Sequence, residues 1–335
     1  MSAEKNKQTS AVGLDVGTSR IVIAQQNGDD FEYKSQLNAF VNVPYSKMTE
    51  KSLKREGIPF GRSNGDLVVH GNESERFADL LGLETRRPMK GGILNPSETS
   101  STEVIRTLVD TMLGADEGNG RPLYFSVPAA PLNGEANLTY HEAALEELLT
   151  QKGYEVHSLN EGQAVIYSEL EDTNYSGIGV SCGGGLCNVS LAYLSVPLLS
   201  FSVAKAGDFI DSSAASVTGD GPTRIRIEKE TAFHFNGGFS NKVHQALGVY
   251  YDDMIKAVVE GLKDAFSNSR TMPKFKKPLP LVLSGGTAMP KGFAGRFEAA
   301  LKAENFPVPL AEVRMAKDPL TSTAKGALVA ALAEG

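Results

Sequence analysis

A glycine-rich turn near the start of the chain contains the first residues suited to chemistry. It contains Gly17, Thr18 and Ser19 and lies between two runs of strand-like composition. Glycine lets a backbone approach a ligand closely, and hydroxyl and amide N–H groups can face a phosphate. Asp15, just before the turn, is suited to hold a hydrated Mg²⁺ beside that phosphate. The alternative is an ordinary hairpin turn, because many hairpins have a polar glycine turn.

A second stretch repeats this pattern about half a chain later. It again reads as strand, glycine turn and strand, with Gly183, Gly184 and Gly185 in the turn. When the two copies are superposed, Asp15 falls on Ser181. Internal repeats determine architecture. The pair of turns therefore predicts two similar domains that hold phosphate groups from opposite sides.

Composition sets the broad class. The chain has 335 residues, of which 41% are hydrophobic and 22% charged, as in ordinary globular proteins of two domains. The net charge of −7 gives no reason to expect direct nucleic-acid binding. No apolar run approaches the roughly 18–20 residues of a membrane helix. The polar residues 1–10 predict a disordered tail without a signal peptide or an amphipathic anchor, so direct membrane binding is not expected.

Cysteine and histidine chemistry is not indicated. Cys182 and Cys187 flank the second glycine turn, and we interpret them as small, partly buried thiols. A disulfide there would pinch the turn, and two cysteines without a nearby histidine cluster do not form a zinc site. The five histidines are scattered, and no hydrolase triad or histidine metal motif is present.

Strand and helix patterns alternate between the two turns, which favours an α/β fold. One predicted helix spans 160–170, with Asn160 as its cap and Glu161 in its first turn, where a carboxylate suits the helix dipole. Residues 35–82 are irregular and read as an insertion that caps the first domain. Segment 46–55 reads as a surface loop, either a contact or a solvated basic turn. The basic turn 86–93 reads as a solvated loop, with an anion contact as the alternative.

Five elements in a fixed order resemble the actin-like ATPase superfamily, over nearly all of residues 11–333. They are the two glycine turns as phosphate loops, residues 160–164 and 325–327 as connecting helices, and 283–287 as an adenosine-binding turn. Within the superfamily, segments 17–20, 206–211 and 226–230 most resemble bacterial actins of the MreB and MamK type.

This resemblance implies an actin-like fold, a duplicated ribonuclease H-like α/β architecture with two lobes around a nucleotide cleft. The expected divisions are lobe I at 11–168 plus 318–335, with a small subdomain at 35–82, and lobe II at 169–317, with a reduced small subdomain at 212–249. It also implies a cytoplasmic cytoskeletal protein that binds ATP or ADP with Mg²⁺, and whose partner is itself, in a homopolymeric filament.

The resemblance also implies a role for each site residue. Asp15 would hold Mg²⁺ through water, and Glu161 would orient the attacking water as the catalytic residue. The residues expected to contact the nucleotide share a place on or beside a turn: Asp15, Gly17, Thr18, Ser19, Gly183, Gly184, Gly185, Gly207, Asp208, Lys229, Glu230, Gly285, Gly286 and Thr287. For Glu161, a simple dipole partner is the alternative.

Two positions depart from the superfamily pattern. Ser181 stands where an aspartate is usual, and Leu186 where a threonine or another phosphate-facing residue is common. A serine hydroxyl supplies no negative charge, so we expect weaker Mg²⁺ binding and slow ATP hydrolysis. Two other classes of function stay open: a non-polymerising adaptor that uses nucleotide structurally, and a small-molecule kinase.

Overall fold

The computed structural model describes residues 11–28, 30–114, 118–133, 137–235, 238–239, 241–268, 273, 275 and 277–334, so the predicted tail lies outside the described residues. Its strands are β1 (Val12–Val16), β2 (Arg20–Asn27), β3 (Asp30–Leu37), β4 (Phe40–Pro44), β5 (Phe60–Ser63), β6 (Asp66–His70), β7 (Met89–Lys90), β8 (Ile93–Leu94), β9 (Pro122–Val127), β10 (Glu155–Asn160), β11 (Gly177–Cys182), β12 (Cys187–Tyr193), β13 (Val196–Val203), β14 (Leu279–Ser284) and β15 (Leu310–Met315). Its helices are α1 (Lys47–Glu56), α2 (Asn72–Leu81), α3 (Ser101–Leu113), α4 (Leu138–Thr150), α5 (Glu161–Glu169), α6 (Gly207–Thr218), α7 (Pro222–Thr231), α8 (Lys242–Asn268), α9 (Phe293–Ala303) and α10 (Ser322–Glu334).

Two five-stranded sheets have the same topology. The β1 sheet has the order β10-β9-β1-β2-β3, and the β11 sheet has the order β15-β14-β11-β12-β13. In each sheet the first strand pairs antiparallel with the second and parallel with the strand on its other side. This duplication confirms the predicted α/β repeat. Because parallel strands point the same way, the carboxyl ends of β1 and β9 meet at one edge of their sheet.

The two glycine turns are built alike. The Gly17 N–H donates to the Arg20 carbonyl at 2.9 Å, and the Gly183 N–H donates to the Leu186 carbonyl at 3.0 Å. Each bond closes a four-residue turn between antiparallel strands. The turns therefore place their central amides at equivalent edges of the two sheets.

Helices α5 and α10 pack against each other beside the two sheets. The predicted cap of α5 is confirmed, because the Asn160 side chain accepts a hydrogen bond from the Gly162 N–H at 3.0 Å. A Cβ added to Gly326 in α10 would overlap the Ala164 backbone in α5. Glycine at 326 is thus required for the closest approach of these two helices.

Residues 35–82 are more regular than their sequence predicted. They contain a three-stranded sheet of order β4-β6-β5 with helices α1 and α2. The expected surface loop at 46–55 is mostly α1, so that prediction was wrong. Ser46 caps the helix by accepting from the Thr49 N–H at 2.9 Å, Gly57 ends it with φ 66°, and Leu53 buries its inner face.

Candidate functional site

A cavity of about 590 Å³ opens where the two glycine turns meet. All fifteen residues named from the sequence lie on its wall: Asp15, Gly17, Thr18, Ser19, Glu161, Gly183, Gly184, Gly185, Gly207, Asp208, Lys229, Glu230, Gly285, Gly286 and Thr287. The volume is in the range of pockets that hold small molecules and cofactors. The structure thus brings the predicted residues together, and the ligand that they contact stays a prediction.

Two carboxyl groups lie at the base of the cavity, each held by a serine. The Ser126 hydroxyl donates to Asp15 Oδ1 at 2.6 Å. The Ser181 hydroxyl donates to Glu161 Oε2 at 3.1 Å. Ser126 was missed from the sequence, although it is a polar residue near the end of an apolar strand. Each serine fixes the orientation of a carboxyl group that could otherwise rotate.

Burial disfavours the ionised forms of these two carboxyl groups. It raises the pKa of Asp15, and the Ser126 hydrogen bond opposes this only in part. Burial also raises the pKa of Glu161, the charge of Asp15 raises it further, and Ser181 and Asn188 act in the other direction. A cation at this position would favour both ionised forms.

Asn188 is a second residue that the sequence did not single out. It is fully buried in β12, and its Oδ1 accepts a hydrogen bond from the Ala129 N–H at 2.9 Å. Its Nδ2 meets no hydrogen-bond partner of good geometry among the described residues, yet it lies near enough to Glu161 to favour the carboxylate. Asn188 therefore holds the segment after β9 through its oxygen and lies close to the carboxyl group of Glu161.

The two glycine turns approach each other to van der Waals contact. A Cβ added to Gly185 would lie 2.6 Å from Thr18 Oγ1, and one added to Gly184 would overlap the Ser19 hydroxyl. The Thr18 hydroxyl also accepts a hydrogen bond from the Gly92 N–H at 3.2 Å. Side chains at these glycines would push the turns apart, so glycine is needed for their close approach.

The first turn of α6 is tied to the second glycine turn. The Gly207 and Asp208 N–H groups donate to the carbonyls of Gly183 and Gly184 at 3.1 and 2.8 Å. The Thr287 hydroxyl also donates to the Gly183 carbonyl, at 2.8 Å. These hydrogen bonds therefore hold the second turn in place against neighbouring residues of the cavity wall.

Lys229 is engaged with protein groups. It is 6% exposed, and its Nζ lies 2.8 Å from the Asp211 carboxylate and donates to the Gly207 carbonyl at 3.3 Å. Burial raises the pKa of Asp211, and the Lys229 charge opposes that rise. The ammonium group of Lys229 thus neutralises Asp211 and fixes the start of α6.

Another part of the cavity wall includes Phe233 and Tyr251 together with charged residues, with open space at Gly286. The Phe233 and Tyr251 rings stack with centroids 5.3 Å apart, and the Tyr251 hydroxyl donates to the Thr287 carbonyl at 3.0 Å. A Cβ on Gly286 would meet Leu320 alone among nearby described groups, at 3.5 Å. The cavity therefore has open space beside Gly286. Phe233 and Tyr251 were not named from the sequence.

A metal ion would need ligands from outside the protein. No cluster of three His, Cys, Asp or Glu residues with metal-binding geometry occurs in the described part of the chain. Asp15 supplies a carboxylate, and Mg²⁺ in proteins commonly takes one or two carboxylates together with waters and phosphate oxygens. The donor set fits a phosphate-bound Mg²⁺ better than a metal held by protein alone.

Arg87 corrects the interpretation of the basic turn 86–93 as a solvated loop. Its guanidinium group is 27% exposed and lies 2.8 Å from the Asp208 carboxylate at the cavity wall. Arg86 forms an ion pair with Glu98. The anion that meets Arg87 is therefore a carboxylate of this chain, from far along the sequence.

Solved structures with the same fold extend over nearly the whole chain. A structure described as "MamK double helical filament" matches with TM-score 0.72 and 17% identity, covering 97% of this chain and 99% of that one. A non-polymerising MamK mutant bound to AMPPNP matches with TM-score 0.61 and 19% identity, over 96% and 98%. The ethanolamine utilization protein EutJ from Carboxydothermus hydrogenoformans matches with TM-score 0.54 and 17% identity, over 96% and 89%. The fold is therefore that of actin-like proteins, as predicted.

The family profile named Volactin matches residues 10–331. The chain therefore belongs to the Volactin family. No curated protein matches the sequence significantly. Within the described residues, no helix is both long and apolar enough to cross a membrane.

Proposed function

We propose that this protein binds ATP or ADP with Mg²⁺ in the cavity between the glycine turns. The observation that supports this most is that both glycine turns, Asp15 and Glu161 all line one cavity of about 590 Å³. The likeness to a MamK mutant described as bound to AMPPNP adds support at the level of the fold.

The proposed binding mode follows from the chemistry of each part of the cavity. The amides around Gly17 and Gly184 would face the phosphate groups. The open part of the cavity near Gly286 would take the adenine and ribose, bordered by Lys229 and Glu230. Bound Mg²⁺ would neutralise phosphate charge, held by Asp15 through water.

Hydrolysis is proposed to be slow. Glu161 would orient a water molecule, and Ser181 restrains one of its carboxyl oxygens by a hydrogen bond. Ser181 adds no charge at this position. Since burial and Asp15 both raise the pKa of Glu161, its carboxylate is scarce until a cation binds. The missing charge at Ser181 and the raised pKa of Glu161 both weaken activation of a water molecule.

We further propose that the nucleotide state controls assembly into homopolymeric filaments in the cytoplasm. A ligand that contacts both glycine turns favours one relative position of the β1 and β11 sheets. The surfaces that neighbouring copies share would then depend on the ligand. The full-length likeness to a MamK structure described as a filament supports this proposal.

Sedimentation and negative-stain electron microscopy test the assembly proposal. Purified protein should pellet as ordered polymers with Mg-ATP and stay in the supernatant with Mg²⁺ alone. The same experiment with Asp15→Asn is the matched control, because this variant keeps an oxygen for Ser126 and loses the charge for Mg²⁺. Ordered polymers that are identical with and without nucleotide would contradict nucleotide control.

A non-polymerising adaptor is the second candidate. Ser181 favours it, because loss of a carboxylate beside Glu161 suits structural use of a nucleotide. EutJ, a protein described by its part in ethanolamine utilization, shares the fold over most of its length. Tight nucleotide binding without any polymer in electron microscopy would favour this candidate. A screen of phosphate acceptors tests the remaining alternative, a small-molecule kinase.

A further inference from the structure

Two ion pairs at the cavity join the first half of the chain to the second. Arg87 lies 2.8 Å from Asp208, and Glu75 lies 2.7 Å from Arg226. The partners are 121 and 151 residues apart in sequence. In each pair one partner, Asp208 or Arg226, lines the cavity.

Both partners on the first half are held by ordered structure. Glu75 is in α2, whose start is fixed by the buried Ser74 hydroxyl bonded to the Gly71 carbonyl at 2.7 Å. Arg87 follows Arg86, whose backbone pairs with Phe40 of β4. The backbone that carries each of these side chains is therefore tied to ordered structure of the first half.

The partners on the second half belong to α6 and α7. Asp208 is in the first turn of α6, which is tied to the second glycine turn, and Arg226 is in α7, three residues before Lys229. The Arg226 side chain is 16% exposed, and Glu230 lies 3.6 Å from it. Because Arg226 keeps Glu230 when Glu75 leaves, breaking the bridge does not leave its charge buried alone.

We propose that these two bridging ion pairs, Arg87–Asp208 and Glu75–Arg226, hold the cavity closed and limit the rate at which its ligand enters and leaves. Glu75 and Arg87 belong to the half of the chain that contains the β1 sheet. Asp208 and Arg226 belong to the half that contains the β11 sheet, and the cavity lies between the two halves. Separating the halves must therefore break both pairs. Partly buried pairs are screened less by salt than exposed ones, so each resists opening.

The first arm of the test measures opening without any nucleotide. Spin labels at Leu80→Cys in α2 and Val217→Cys in α6 report the distance between the two sides, because both sites are exposed and the native Cys182 and Cys187 are fully buried. The labelled protein in which both ion pairs are intact should give one narrow distance distribution. The double variant Glu75→Lys with Arg87→Glu should add a longer distance.

A control variant reverses the same charge as Glu75→Lys at an ion pair that does not join the two halves. Glu304→Lys breaks the Lys263–Glu304 pair of 3.2 Å, which lies within the second half and whose Glu304 side chain is about as exposed as that of Glu75. It should leave the distance distribution unchanged. Compared with Glu75→Lys alone, Glu75→Lys paired with Arg226→Glu restores opposite charges and should recover at least half of the lost short-distance population. An unchanged distribution in the double variant would overturn the proposal.

The second arm measures exchange and rests on the proposed nucleotide site. Release of a fluorescent ADP, chased by excess ADP, should be about five- to tenfold faster in the Glu75→Lys, Arg87→Glu variant and unchanged in Glu304→Lys. If the double variant shows the longer label distance but releases the fluorescent ADP at the same rate as the unaltered protein, the ion pairs do not limit exchange, and that part of the proposal is overturned. If no form binds the nucleotide, the proposed function fails, and the distance measurement still decides whether the ion pairs close the cavity.

Discussion

Gly326 of α10 lies against the carbonyl oxygen of Ala164 in α5 so closely that no Cβ fits between them. Helix α5 starts at Glu161, which lines the cavity, and α10 packs on both α5 and β1. This contact therefore joins the helix that starts at the cavity to the core of the first sheet.

Replacing Gly326 with alanine should destabilise the protein by about 3 kcal/mol or more, because a helix backbone cannot move aside without repacking. Urea denaturation followed by circular dichroism measures the change. Gly295→Ala is the matched control, since Gly295 is an exposed glycine of α9 with open space for a Cβ. It should be neutral or more stable by up to about 1 kcal/mol. Equal effects at the two sites would contradict the packing argument.

Replacing Ser181 with aspartate should raise ATP turnover about tenfold or more in the presence of Mg²⁺, because a second carboxylate joins the metal and water site. Without Mg²⁺ the same variant should melt at a lower temperature, since a third carboxyl group is then buried near Asp15 and Glu161. Phosphate release and thermal melts measure these two effects. Ser181→Ala, which adds no charge, should show no rise in turnover; a rise there would refute the role of charge.

Two buried histidines should make the fold sensitive to acid. Burial lowers the pKa of His70 and of His141 to about 4, from an ordinary value of 6.5. The unfolded chain therefore binds protons that the folded chain does not, and each histidine costs stability as the pH falls from 6.5 towards 4. Between pH 7 and 5 the loss is about 2 kcal/mol for each residue.

His141→Asn isolates one of these contributions. Asparagine does not titrate, and its oxygen can accept the Leu94 N–H that His141 Nδ1 accepts at 3.3 Å. The free energy of unfolding of this variant, from urea titrations, should fall less steeply between pH 7 and 5. An unchanged slope would mean that His141 is protonated in the folded protein at pH 5.

The sequence predicted the local parts of the site better than its long-range parts. The glycine turns and the Asn160 cap were recognisable because their geometry depends on neighbouring residues. The hydrogen bond from Ser126 to Asp15 joins residues 111 positions apart, and only the folded sheet brings them together. The pairing of Arg87 with Asp208 was missed for the same reason.

The missed helix α1 has a different cause. Its capping signals were present in the sequence, with Ser46 before it and Gly57 after it. Eight of the ten residues of α1 are polar or charged, and only Met48 and Leu53 are apolar, so its apolar stripe is narrow. Helix ends were better indicators than hydrophobic periodicity in this segment.

The role of Asp15 can be tested through the dependence of nucleotide affinity on Mg²⁺ and pH. Because burial raises the pKa of Asp15, Mg²⁺ has to displace a proton at acidic pH. The gain in ATP affinity from Mg²⁺ should therefore shrink as the pH falls from 7.5 to 5.5. In Asp15→Asn the gain should be small at every pH. If Asp15→Asn keeps the full gain in ATP affinity from Mg²⁺, the metal binds elsewhere.

Calorimetric titration with Mg-ATP tests the central claim, that a nucleotide occupies the cavity between the two glycine turns. The account predicts saturable binding to one site for each chain. It predicts loss of that binding in Gly286→Leu, whose side chain would extend into the cavity, with little change in melting temperature. Absence of binding to the unaltered protein, or equal binding to a well-folded Gly286→Leu protein, would contradict it.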